Sequence, residues 1–128
     1  MFDRIDTLRM ASALTTHAEN RQKLIARNVA NADTPGFRAQ DLAPFPQSYG
    51  GGKPLELRMT RPAHVAGSGW SASSNVTDTQ GEPAPNGNTV SLEEEMIRST
   101  QAKRQFDLSL AITRASLDMI RTSLGRRA

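Results

Sequence analysis

The chain has 128 residues and a mass of 13.9 kDa, one domain by length. It contains no cysteine, which excludes a disulfide framework, a thiolate nucleophile and a cysteine-based zinc site. Sixteen basic against thirteen acidic residues leave a net charge of only +3, and Leu, Ile, Val and Phe together make 24 of the 128 residues. That is neither a highly charged solvated tail nor a chain able to build a thick core of its own, so partners are expected to complete its burial.

Pro and Gly are segregated. All seven Pro lie between Pro35 and Pro85, and eight of nine Gly between Gly36 and Gly87. Residues 1–32 and 88–124 contain neither, so two arms, residues 1–32 and residues 91–128, flank a turn-rich middle, residues 33–90. The expected fold is mainly α, with the two arms as long helices paired in a coiled-coil-like hairpin. The first arm places Ile5, Leu8, Ala11, Leu14, Ala18, Gln22, Ile25, Val29 and Ala32 at spacings of three and four, close to the period of a coiled-coil seam. Its start, Met1-Phe2-Asp3-Arg4-Ile5-Asp6, is charged and lacks the apolar region of a secretory signal, so no cleaved signal is expected. No apolar run approaches the ~18–20 residues of a membrane span.

The first arm stops hard at Asn28-Val29-Ala30-Asn31-Ala32-Asp33-Thr34-Pro35-Gly36-Phe37. Thr34 precedes Pro and is pushed out of the helical region. Pro35 suits the second position of a turn, and Gly36 supplies the positive φ of a type II turn. Asn28 and Asn31 are one helical turn apart, so their amides share a face and are expected to bond the free backbone groups of the turn, with Phe37 delivered onto the helix end. By itself this is also how an ordinary helix ends. In the middle, residues 55–59 alternate as Leu-Glu-Leu-Arg-Met, a short strand, and Val65 and Trp70 extend it to a short β-hairpin around Gly67-Ser68-Gly69.

The second arm opens on Ser91-Leu92-Glu93-Glu94, which reads as a capping box. Glu93, Glu94 and Glu95 suit the positive end of the helix dipole and Arg121, Arg126 and Arg127 the negative end, with Gly125 as the cap beyond. Leu92, Met96, Ser99, Lys103, Phe106, Leu110, Thr113, Leu117, Ile120 and Leu124 alternate at four and three without a break. The helix–helix seam is accordingly placed at Ile25 and Val29 against Met96, Phe106, Leu110, Leu117, Ile120 and Leu124. A second stripe, Leu108, Ile112, Ala115 and Met119, lies about 160° from that seam at 100° per residue. A two-helix hairpin has one inside, so this stripe is expected to meet other subunits.

No catalytic constellation emerges, and no cofactor or metal is expected. His17 lies in the first arm one step off the seam among generic helix residues. His64 follows a Pro in the middle. Glu93, Glu94 and Glu95 are consecutive on a helix and point three ways. Gly50-Gly51-Gly52 lacks the Lys-Ser/Thr of a phosphate loop. A small basic helical nucleic-acid-binding protein is the alternative from another class. Against it, the three segments carry +2, −1 and +2, with no basic stripe interleaved with aromatics, so no nucleic acid is expected.

The stretch Asn28 to Phe37 resembles the N-terminal signature of the flagellar axial proteins, the rod and hook subunits: a helix ending in Asn-x-x-Asn, then Thr-Pro-Gly-aromatic. Met1-Phe2-Asp3-Arg4-Ile5, Arg58-Met59-Thr60-Arg61-Pro62-Ala63-His64-Val65 and the run from Asn86-Gly87-Asn88 through Met96 resemble the rod members of that family. Phe37 stands where the family commonly has Tyr, and Ser91 where the cap is often Asp. Both keep the physical role. The resemblance implies a structural, non-enzymatic subunit of the proximal rod, the drive shaft that transmits torque. It implies assembly with other copies, other rod proteins and adaptors between rod and membrane ring. It also implies export by the flagellar type III apparatus into the periplasmic part of the basal body, without direct membrane insertion.

Overall fold

Two long helices running in opposite directions carry most of the described residues. The computed structural model describes residues 2–50, 76–79 and 81–125. Helix α1 spans Phe2–Ala30, strand β1 Gln40–Leu42, helix α2 Phe45–Gly50, strand β2 Val76–Asp78 and helix α3 Leu92–Ser123. The strands form an antiparallel pair with Asp41 opposite Thr77. The strand expected at residues 55–59, the hairpin around Gly67-Ser68-Gly69 and His64 all lie outside the described residues. The sheet that is described joins two other stretches, 34 or more residues apart along the chain, and α2 forms in a stretch with no helical signal of its own.

The arms form helices for the reasons their sequence contains. The Ser91 hydroxyl accepts from the Glu94 amide at 3.5 Å, and three glutamates sit in the first turn of α3. The reciprocal half of the capping box is diverted: the Glu94 carboxylate pairs instead with Arg98 one turn on, at 2.9 Å. At the other end Leu124 closes the helix onto the Ile120 carbonyl, and Gly125 follows with φ 70°.

The seam between α1 and α3 is built from small side chains. Seven apolar residues are buried among those described, and five are alanines: Ala11, Ala13, Ala18, Ala39 and Ala102, with Ile25 and Leu42. On α3 the buried positions are Glu95, Ala102, Ser109 and Ser116. Interleaved with them, Ser99, Phe106, Thr113 and Ile120 are partly covered, so the seam again steps at four and three. Hydrogen bonds cross it: Thr15 and Ser109 share one at 2.8 Å, and Gln22 donates to Ser99 at 3.1 Å.

This corrects the expected seam. Ser99, Phe106, Thr113 and Ile120 are common to both versions, but the alternate positions fall one residue earlier. Met96, Leu117 and Leu124 are 71%, 51% and 72% exposed, and Val29 is 44% exposed. Leu110 is only partly covered. Apolar size governed the expectation, whereas closest approach governs the structure. Where two helices meet through Ala and Ser, their backbones come too near for Leu or Met, which turn to the flanks.

A charged layer ties the middle to both helices. The Arg21 guanidinium grips the Asp41 carboxylate with two bonds, at 2.9 and 2.8 Å. Arg98 on α3 approaches the same carboxylate at 4.0 Å and bonds Glu95 at 2.6 Å. The Glu95 side chain is fully buried, and its second oxygen has no hydrogen-bond partner. Further along α1, the His17 Nε2 donates to the Ala43 carbonyl at 2.9 Å. Its ring meets Phe45 edge-on, and Phe45 stacks on Tyr49, so His17 seats α2 on the helix.

Candidate functional site

The residues of the Asn28–Phe37 stretch converge on a polar junction where α1 ends and α3 begins. Thr34 to Phe37 form a β-turn closed by the Phe37 amide on the Thr34 carbonyl at 3.3 Å. Pro35 occupies its second position, and Gly36, at φ 71°, its third, the sign a type II turn demands there. Asn31 caps locally. Its amide donates to the Arg27 carbonyl at 2.8 Å, and its oxygen accepts from the Thr34 hydroxyl at 3.3 Å. Phe37 is partly covered, and Thr34, Pro35 and Gly36 are exposed.

Asn28 does something other than bond the turn. It is 1% exposed, its amide donates to the Gln40 carbonyl at 2.8 Å, and its oxygen accepts from the Gln40 amide at 3.2 Å. The side chain thereby behaves as a short piece of strand paired with the start of β1. The expectation that both asparagines serve the turn is corrected for this one. Asn28 faces the middle segment, and its two amide functions match the two backbone functions presented there.

The turn is also bonded from the far end of the chain. Asn88, 3% exposed, directs its amide at the carbonyls of Asn31 at 3.0 Å, Ala32 at 2.6 Å and Thr34 at 3.0 Å. Its oxygen accepts from the Val90 amide at 2.8 Å. The Gly36 amide donates to the Asn86 carbonyl at 3.0 Å, and the Thr89 amide to the Phe37 carbonyl at 3.1 Å. The Thr89 hydroxyl takes the Ala39 amide at 2.9 Å. Gly87, at φ 78°, brings the second turn against the first, where a Cβ would stand 3.5 Å from the Gly36 Cα. Asn86, Gly87 and Asn88 are visible in the sequence as a turn-forming cluster. That this cluster plugs the first turn is not, because the pairing spans more than fifty residues.

The other singled-out residues lie on the helices. Leu108 and Met119 are 54% and 56% exposed, Ala115 is exposed and Ile112 is partly covered. Ile25 is buried against the seam, where Phe106 and Ile120 are partly covered. A groove of about 320 Å³ runs beside the seam, lined by Ala18, Glu19, Gln22, Ser99, Ala102, Lys103 and Phe106. Among the described residues no three His, Asp or Glu side chains come together as a metal site, and no helix is long and apolar enough to cross a membrane.

A long two-helix hairpin joined by a polar junction, with large apolar side chains left on its outside, has the architecture of a helical structural subunit. Residues 10–38, from mid-α1 through the turn, match the family described as Flagella basal body rod protein. Over 119 residues the chain is 33% identical to the flagellar basal body rod protein FlgB of Agrobacterium fabrum, covering 87% of each. It is 26% identical over 132 residues to FlgB of Salmonella typhimurium, covering 91% of this chain and 92% of that one. Against FlgB of Yersinia enterocolitica the identity is 26% over 125 residues, with 88% and 89% covered. The chain belongs to the FlgB family of flagellar basal body rod proteins, which are structural and not enzymatic.

Proposed function

We propose that this subunit is built into the proximal rod by burying the outside of α3 against other copies and other rod proteins, and that it helps carry torque through the shaft. One observation carries the reading: Leu92, Met96, Ile97, Leu108, Leu117 and Met119 of α3 are all more than half exposed in the single chain. Isolated exposed apolar residues need no explanation, but six large ones along one 32-residue helix mark an interaction surface. Residues 1–32 and 91–128 are the inner helical pair in this reading, and residues 33–90 an outer element contacting neighbours. The junction at Asn28, Asn31, Thr34, Pro35, Gly36 and Phe37 sets the angle between the two.

The stripe Leu108, Ile112, Ala115 and Met119 faces neighbouring subunits, and ring-to-rod adaptors meet the assembled rod. Delivery is by the flagellar type III export apparatus, and the final location is the periplasmic part of the basal body. A seam of Ala and Ser favours such a route, since little apolar burial has to be undone to thread the chain. The test is a Leu108→Asp/Met119→Asp chain expressed in a strain lacking its own subunit. Both sites are exposed, so the free subunit should keep its fold and be exported. It should be absent from isolated basal bodies, because a carboxylate in an apolar contact costs several kcal/mol. Normal incorporation would sink the reading.

A further inference from the structure

The two helices carry complementary patches on opposite backs of the hairpin, at the same height. On α1, Lys23 and Arg27 each lie two residues from buried Ile25, which puts both about 160° from the seam. With Asn20 and Leu24, and with Leu42 and Val76 from the sheet, they line a groove of about 270 Å³. Its floor is aliphatic and its rim cationic, and among the described residues no ion pair engages either cation. On α3, Glu93 and Ile97 each lie two residues from buried Glu95, again about 160° from the seam. Beside them Met96 is 71% exposed and Ile97 60% exposed, and no ion pair engages Glu93 among the described residues. The hydrogen bond from Gln22 to Ser99 sets the level. Three residues further along α1 and three back along α3, Ile25 stands abreast of Met96.

We propose that the α1 groove receives the Glu93–Met96–Ile97 face of α3 from a second copy of this chain. The inference rests on the polymer reading above and names the surfaces that make it. Glu93 meets Lys23 and Arg27, while Met96 and Ile97 fill the floor over Leu24, Leu42 and Val76. Charge sign and apolar content match, and neither patch matches itself. The contact is therefore heterologous: each copy offers its groove to one neighbour and its acidic apolar face to another. Repetition then gives a ring or a helical tube rather than a closed dimer.

The full-length chain is the material for the test, and its lack of cysteine removes background. Lys23→Cys, Met96→Cys and the double variant are expressed in cells lacking the native subunit. Their basal bodies are oxidised and, in parallel, treated with a short thiol-to-amine crosslinker. The double variant should give a ladder of multimers of this chain, and each single variant none on oxidation. A charge arm runs beside it. Lys23→Glu/Arg27→Glu should lose incorporation and motility, and adding Glu93→Lys should restore both. Dimers from a single cysteine variant would mean a two-fold contact, and a band containing a different rod protein would give the groove to that protein. Either result overturns the proposal. Motile cells that yield no ladder, or a charge-reversed chain that swims normally, overturn this interface and leave the polymer reading standing. Absence of the unmodified chain from basal bodies would overturn the polymer reading itself.

Discussion

The amide of Asn88 lies 2.6 Å from the carbonyl of Ala32, and through that bond the start of the last helix is fastened to the end of the first. The same nitrogen stands 3.0 Å from the carbonyls of Asn31 and Thr34. Two N–H groups thus serve three acceptors, of which the Asn31 carbonyl also takes the Thr34 amide at 3.0 Å and the Thr34 carbonyl the Phe37 amide at 3.3 Å. A seam of alanines and serines contributes little apolar burial, so this junction holds a larger share of the hairpin than a surface turn would.

Removing the plug should destabilise the free subunit. Asn88→Ala takes the side-chain donor from the Ala32 carbonyl and the second donor from those of Asn31 and Thr34, at about 1–3 kcal/mol. Asn88→Asp is isosteric but sets a carboxylate against three carbonyl oxygens and should cost more than Ala. Urea denaturation followed by circular dichroism gives the order. An Asp variant as stable as the wild type would show that the amide donors do not hold the turn.

Gly36 tests conformation without sterics, because a Cβ built there meets nothing within 4 Å. Gly36→Val should still be the worst change in the turn, since a β-branched residue at φ 71° is a backbone outlier. Gly36→Asn should fall between Val and wild type, as Asn tolerates that region. Pro35→Ala should cost only about 0.4–1 kcal/mol, mainly by freeing the unfolded chain. Stability, secreted fraction and motility of the three variants are the readouts, and a Gly36→Val strain that swims normally would remove the turn from the geometry of assembly.

The small-residue seam makes an unusual demand: a larger apolar side chain inside should be harmful, and a charge outside harmless to the fold. Ser109 is fully buried and bonded to Thr15. Ser109→Leu should push the helices apart and destabilise by about 1–3 kcal/mol or more. Leu117→Asp, at a side chain 51% exposed, should leave helicity and melting nearly unchanged yet reduce incorporation into basal bodies. Thermal melts that rank Leu117→Asp below Ser109→Leu would restore the seam expected from apolar size.

Arg98 neutralises a glutamate with no access to water. Arg98→Ala leaves the Glu95 carboxylate buried and unpaired, a change of about 3–5 kcal/mol. Replacing both, as Arg98→Met with Glu95→Leu, removes the stranded charge and should recover most of that loss. A double-mutant cycle in urea measures it. Strictly additive losses would mean that the pair does not act as a unit.

Much of the architecture was legible because it obeys local rules. Two long stretches without Pro or Gly become α1 and α3, Ser91 caps, and Gly36 turns at positive φ. Each of these depends on neighbours within about four residues. The roles of Asn28, His17 and Glu95 were not legible. Their partners, Gln40, Ala43 and an enclosed position beside Arg98, are fixed only once the middle segment lies along α1.

The sequence alone therefore determined the helices, the turn that ends the first and the excess of apolar stripes over available inside. Those follow from periodicity, backbone sterics and composition, which act along the chain. Only the tertiary structure decided that small residues take the seam and that Asn86-Gly87-Asn88 plugs the Thr34-Pro35-Gly36 turn. Adjacent stripes at four-and-three spacing differ by one residue, about 100° around the helix, and both are periodic. What separates them is how closely two backbones can approach, and which distant carbonyls an amide can reach. Those distances come into being only when residues more than fifty positions apart are brought together.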